Sequence, residues 1–101
     1  MDQREVRKVA KQYGLAVKKE IGAAKEIILF GSYAKGNEKP ESDIDIAIVF
    51  NSLNFDLLDT YKILYKLRRN FDIRIEPIIL SQNEDPAGFI AEVKKYGIPL
   101  L

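Results

Sequence analysis

Cysteine and histidine are both absent from this sequence. Without cysteine there are no disulfides and no thiolate metal sites; without histidine there is neither an imidazole base nor an imidazole ligand. Acid–base or metal chemistry therefore falls to carboxylates. Long hydrophobic runs are lacking too: the richest, Ile27 to Gly31 and Ile44 to Phe50, fall far short of the roughly 20 residues that a membrane-spanning helix needs. Residues 1–20 are charged throughout, with no apolar stretch behind a basic start, so no secretory signal is expected and a cytoplasmic location is. Charge of one sign is scarce as well. Sixteen basic residues against fifteen acidic leave a net charge of +1, which supplies no overall field for nucleic acid. The one basic run, Lys66-Leu67-Arg68-Arg69, is better explained as a helix end, where cations complement the dipole.

What remains is an ordinary globular composition, 47% hydrophobic and 31% charged over 101 residues, enough for one core and too little for two. Residues 1–101 are therefore expected to form a single domain. Val6, Val9, Ala10, Tyr13, Val17 and Ile21 recur at helical spacing, predicting an amphipathic helix over residues 3–21 with a stop at Gly22. Residues 26–30 read as a buried strand ending at Gly31, residues 32–42 as a loop with one helical turn after Ser32, and residues 43–50 as a second strand. The second strand begins by alternating and becomes wholly apolar, as a strand does when its far end is covered on both faces. A turn and cap within residues 51–54 lead to a helix running to about Asn70, marked by Leu57, Leu58, Tyr61, Leu64 and Tyr65. Residues 72–80 form a third strand, with Ile73, Ile75 and Ile79 on one face; Pro77, which lacks a ladder N–H, places it at an edge or makes it bulge. A last helix is expected to start with Asp85 as cap and Pro86 at its first position, to bury Phe89, Ile90 and Val93, and to close at Gly97. The order helix, strand, loop, strand, helix, strand, helix predicts an α/β or α+β fold, a small mixed β-sheet packed by helices.

Asp43 and Asp45 stand two apart in a strand, so their side chains share a face about 6.5–7 Å apart at the backbone. At an effective dielectric of about 20, their charges repel by roughly 2.5 kcal/mol, a cost that a divalent cation between them would reverse. Magnesium suits two carboxylates, with water and phosphate completing its octahedron. Alone, an Asp-x-Asp pair is more often a solvated strand face. Gly31-Ser32, alone, is an ordinary strand-ending turn. Together they are a different matter: Gly31 lets backbone approach a phosphate, Ser32 offers a hydroxyl at a helix start, and the carboxylates lie at the neighbouring strand end. The pattern is not a P-loop, since Gly-x-x-x-x-Gly-Lys-Ser/Thr is absent.

Gly31-Ser32-Tyr33-Ala34-Lys35-Gly36 followed by Ser42-Asp43-Ile44-Asp45-Ile46-Ala47-Ile48-Val49 closely resembles the signature of the DNA polymerase β-like nucleotidyltransferase superfamily, and within it the minimal nucleotidyltransferases of antitoxin type. The motif region spans Ile27 to Phe50, and the order of elements extends the similarity along the chain. The resemblance implies a nucleotidyltransferase fold, with Gly31 and Ser32 on a nucleoside triphosphate and Asp43 and Asp45 holding magnesium. It also implies a third carboxylate on the following strand, for catalysis and metal binding, for which Glu76 is the candidate and Asp72 the rival. Tyr33 reads either as a wall of the nucleotide pocket or as an aromatic packed on the first helix. Lys35, where the family often has Arg, would face phosphate without the bidentate fork. Ser42 reads as nucleotide-contacting or, more simply, as orienting Asp43 by a local hydrogen bond. Glu76, where Asp is commoner in the family, lies in an apolar run and needs a compensating partner, either a metal or a cation such as Lys35 or one on a helix.

The activity implied is magnesium-dependent transfer of a nucleoside monophosphate, AMP from ATP, to a hydroxyl, with two metal ions serving the triphosphate and the hydroxyl. The chain leaves nothing over to choose an acceptor, so a partner is expected. The resemblance implies a HEPN-type toxin, with AMP attached to one of its tyrosines. The alternatives are an antitoxin that masks a HEPN ribonuclease without catalysis, and a nucleotide-responsive regulatory domain. Ile63 and Leu67 widen the apolar surface of the 57–70 helix, which a partner or a homodimer would cover.

Overall fold

Asp2 starts the first helix, α1 (Gln3–Glu20), by accepting the Glu5 amide at 2.9 Å, which satisfies one of the N–H groups a helix start leaves without a partner. The computed structural model describes residues 2–39 and 41–101. Val6, Ala10, Tyr13 and Val17 carry the predicted stripe and are fully buried. Beyond Glu20 the Lys18 ammonium donates to the carbonyls of Gly22 and Ala24, tying the turn that leads into β1 (Glu26–Phe30).

One helical turn, α2 (Ser32–Lys35), follows Gly31 and ends at Gly36, whose φ of 78° is the left-handed conformation that favours glycine. The loop beyond is held to α1 by a bond from the Gln3 side-chain amide to Glu38. Then come β2 (Ile44–Phe50), α3 (Leu57–Arg68), β3 (Ile75–Ser81), α4 (Phe89–Tyr96) and β4 (Ile98–Pro99). The sheet order is β3-β2-β1-β4, with β2 antiparallel to β1 and parallel to β3, and β4 antiparallel to β1. This is the mixed sheet expected, with helices on both faces. One face (Ile27, Leu29, Ile44, Ile46, Ile48, Ile75) packs on α1 and on Leu64 of α3. The other (Ile28, Ala47, Val49) packs on Ile90 and Val93 of α4, so the far end of β2 is covered on both sides.

The local differences from expectation have local causes. The third strand begins at Ile75 rather than 72, because the Asp72 carboxylate accepts the Arg74 amide at 2.8 Å and bends residues 72–74 into a turn. Ile73 is consequently 71% exposed instead of facing the core. α3 is capped by Asp56, which accepts the Asp59 amide, not from within residues 51–54. Along α3 only Leu64 is buried; Leu57, Leu58 and Ile63 stay exposed. The last helix starts at Phe89, not Pro86: Gly88 turns in the left-handed conformation, and the Asp85 carboxylate reaches across it to the amides of Phe89 and Ile90. Phe89 is half-exposed; Ile90 and Val93 are buried as expected. β4 has no counterpart in the sequence pattern, being two residues long and containing a proline, but Pro99 sits at the sheet's outer edge where no ladder N–H is needed.

Pro77 likewise lies on an outer strand, as its sequence position implied. The free edge of β3 is covered by α3: the Tyr61 hydroxyl accepts the Ile79 N–H at 2.9 Å, and the Arg68 guanidinium donates to the Ile75 carbonyl at 2.8 Å. Both contacts occupy backbone groups that an edge strand would otherwise offer to another chain.

Candidate active site

Three residues line up across the sheet where β1, β2 and β3 meet at one end: Phe30 pairs with Asp45, and Asp45 pairs with Glu76. Residues opposite one another in a ladder share a face, so Asp45 stands between an aromatic ring and a second carboxylate. Asp43 is exposed just before β2 begins. Asp45 is half-buried. Burial pushes its carboxyl up to about 6, helped by the negative charges of Asp43 and then Glu76. The three acids therefore act on one another electrically.

Gly31 makes this arrangement possible. Its φ of 74° and ψ of −150° belong to a region essentially reserved for glycine, and a β-carbon there would overlap the Asp45 carboxylate. The turn brings the start of α2, and with it Ser32, alongside Asp45. Tyr33 points the other way: it is buried in the main core, where its hydroxyl accepts from Arg74 at 3.2 Å. It supports the turn from beneath. Lys35 is exposed at the end of α2, with its ammonium 5.6 Å from the centre of the Tyr96 ring. It borders a cavity of about 220 Å³ beside Gly31, lined also by Phe30, Phe89 and Val93. A second cavity, of about 300 Å³, opens by Lys25, Glu26 and Lys94 at the far end of β1 and contains none of the three acids. The Ser42 hydroxyl accepts the Lys39 amide at 2.8 Å, so it closes the loop rather than bonding Asp43.

Glu76 and Asp72 have different surroundings. Glu76 is 42% exposed on its side chain, so the expected burial penalty is small. One oxygen accepts from the Tyr65 hydroxyl at 2.6 Å, and the other lies 4.0 Å from Arg68, which stacks 4.6 Å over the Tyr65 ring. The helix cation, not Lys35, is its neighbour. Asp72 pairs with Arg74 at 3.2 Å. Burial works to raise its pKa, but the Arg74 hydrogen bonds and charge prevail and hold the carboxyl below the usual range.

Among the described residues no three His, Cys, Asp or Glu side chains are already gathered as a metal cluster, while Glu76 stands in register beside Asp45. The aspartate pair itself fits magnesium: two hard oxygen donors, one with its charge disfavoured until a cation arrives, leave most of an octahedron to water and phosphate. Sequence reasoning missed Tyr65 and Arg68 as neighbours of the site. Their signal was present, as Tyr61, Tyr65 and Arg68 repeat at helical spacing, but it is the same signal that a core stripe sends.

A glycine turn pressed against the Asp45 carboxylate, with Glu76 in register on the next strand, is the geometry that the comparisons with known proteins meet. The nucleotidyltransferase domain model matches residues 6–98, and the chain belongs to that family. A relative from Methanocaldococcus jannaschii described as a candidate protein adenylyltransferase is 39% identical over 77 residues, 71% of this chain and 74% of its own length. A crystal structure described as a candidate nucleotidyltransferase from Sulfolobus solfataricus superposes with a TM-score of 0.68 at 25% identity, over 96% of this chain and 80% of that one. A toxin–antitoxin crystal structure with AMP-PNP superposes with a TM-score of 0.69 at 23% identity, over 90% of this chain and 72% of that one. No helix among the described residues is long and apolar enough to cross a membrane.

Proposed function

We propose that residues 1–101 act as one domain that transfers AMP from ATP, in the presence of magnesium, to a hydroxyl on a protein partner, a tyrosine of a HEPN-type toxin being the leading acceptor. The observation that carries this reading is the close approach of Gly31 to the Asp45 carboxylate, with Glu76 paired to Asp45 on the next strand. The amides at the start of α2 and the Ser32 hydroxyl face the phosphates, and Lys35 supplies a positive charge at the cavity beside them. Asp43 and Asp45 hold the metal, which when bound neutralises phosphate charge and lowers the acceptor's pKa. Glu76, on the side away from that cavity, orients the acceptor hydroxyl and takes its proton. The relative described as a protein adenylyltransferase supports a protein acceptor, and the AMP-PNP in the toxin–antitoxin structure supports ATP as donor. Incubating the chain and its co-purified partner with magnesium and ATP labelled at the α-phosphate should label the partner and release pyrophosphate. An unlabelled partner would overturn the reading.

One observation favours masking as a second role. Leu57, Leu58 and Ile63 leave an apolar strip exposed on α3 (42%, 67% and 44%), the kind of surface that a protein partner covers. A complex that survives Asp43→Asn with Asp45→Asn while transfer is lost would separate masking from catalysis.

A further inference from the structure

Five tyrosines are present, and their hydroxyls have different neighbours. Tyr13 and Tyr33 are buried in the core, bonded to the Leu64 carbonyl and to Arg74. Tyr61 is spent on the backbone edge of β3. Tyr96 lies by the cavity beyond Gly31, on the opposite side of Asp45 from Glu76. Tyr65 differs from all of these. It is partly exposed, and its hydroxyl donates to Glu76 at 2.6 Å, the contact that an acceptor hydroxyl must make if Glu76 is to take its proton.

We propose that Tyr65 is an acceptor in its own right, and that the chain attaches AMP to this residue when no partner is engaged. The inference rests on the reading of the site given above. Glu76 and Asp45 are direct neighbours on parallel strands, which lie about 4.8 Å apart. A phosphate held at Asp43 and Asp45 would therefore lie one strand away from Glu76, the carboxylate that holds the Tyr65 hydroxyl. The donor's α-phosphorus, the base and the phenol would then be neighbours in that order. Holding reactants so is the main contribution that a protein makes to phosphoryl transfer. The Arg68 guanidinium, stacked 4.6 Å over the Tyr65 ring and 4.0 Å from Glu76, puts positive charge where the phenolic oxygen and the phosphate gain negative charge.

The step balances with ATP as sole co-reactant. The Tyr65 oxygen bonds to the α-phosphorus, the bond from that phosphorus to the oxygen bridging to the β-phosphorus breaks, pyrophosphate leaves with that electron pair, and the phenolic proton passes to Glu76. The product is a tyrosyl–AMP phosphodiester. It carries a new negative charge beside Glu76 and Arg68, and it blocks the position where a partner's tyrosine would bind. Self-modification would therefore close the site to further acceptors.

The test uses the purified full chain without partner. Incubated with magnesium and ATP, it should gain the mass of one AMP, and fragmentation should place the group on Tyr65. Tyr65→Phe should lose the modification while binding ATP and magnesium, measured by calorimetry, within about twofold of the unsubstituted chain. Tyr61→Phe should still be modified, and Asp45→Asn should not, with Tyr65 present in both. If the unsubstituted chain binds ATP and magnesium yet gains no AMP, or gains it undiminished in Tyr65→Phe, the proposal fails and the functional reading stands. If the chain binds no nucleotide at all, both fail.

Discussion

The Cα of Gly31 lies so close to the Asp45 carboxylate that a β-carbon at residue 31 would collide with it. Gly31 follows β1 and Asp45 belongs to β2, and each limits what the other position tolerates. Gly31→Ala must both enter a φ region that L-residues avoid and push Asp45 aside. The expected cost is about 2–4 kcal/mol of stability, summing strain and overpacking. Nucleotide binding should be lost as well. A urea titration and calorimetry with ATP and magnesium on the same sample check both halves.

Asp43 and Asp45 should couple metal and nucleotide. ATP with magnesium should raise Tm by several degrees at saturating ligand, and ATP with a chelator by much less, because a ligand that binds only the folded state stabilises it by RT ln(1 + [L]/Kd). Asp43→Asn with Asp45→Asn should remove the metal effect and leave a folded protein. Thermal scans of the four combinations decide; equal shifts with and without magnesium would remove the metal from the site.

The raised pKa of Asp45 carries a pH dependence with a definite sign. In the metal-free folded chain Asp45 holds its proton up to about pH 6, whereas an unfolded aspartate releases it near 4. Between these values the folded state binds more protons, so this residue lowers stability as pH rises from about 4 to about 6 and adds no further change above. Asp45→Asn should abolish that loss, a gain of about 1–2 kcal/mol at pH 7 after allowance for partial exposure. Denaturant midpoints at pH 4.5 and 7 provide the comparison.

Glu76→Gln and Asp72→Asn should divide activity from stability. A glutamine in place of Glu76 can still accept from the Tyr65 hydroxyl but cannot take a proton, so transfer should fall by about 10²–10⁴-fold with ATP binding retained. Asp72 is bound to Arg74 through both backbone and side chain. Its replacement should cost about 1–3 kcal/mol, the range for hydrogen bonds to charged groups, and leave transfer intact. Loss of transfer in Asp72→Asn with retention in Glu76→Gln would exchange the roles.

At Gly97 the constraint is packing alone. Its φ is −83°, open to any residue, but a β-carbon would meet the Ile28 side chain and the Val93 carbonyl where α4 turns back along β1. Gly97→Ala should destabilise the chain by about 1–3 kcal/mol without abolishing nucleotide binding, as read by thermal melting and calorimetry.

Much of this molecule is determined by signals that repeat within a few residues. The α1 stripe, the buried run of β2 and Gly31 at a strand end all follow from helix and strand periods, and the structure has them at those positions; Asp43, expected within the second strand, lies just before it. Short-range chemistry was also legible in part. Asp85 does cap α4, but from across Gly88, because a carboxylate can reach amides several residues ahead when the chain turns back on itself. The tertiary structure decided what periodicity cannot express. Asp72 and Glu76 have the same strand parity, and only the pairing of β3 with β2 sets Glu76 beside Asp45 while a local turn gives Asp72 to Arg74. Tyr33 faced two ways in sequence, and the packing of α2 on the main core and the turn before β3 placed it inside. Tyr65 looked like another apolar position on a helix. It reached Glu76 because α3 lies along the free edge of β3, a contact between elements whose alignment depends on every residue packed between them.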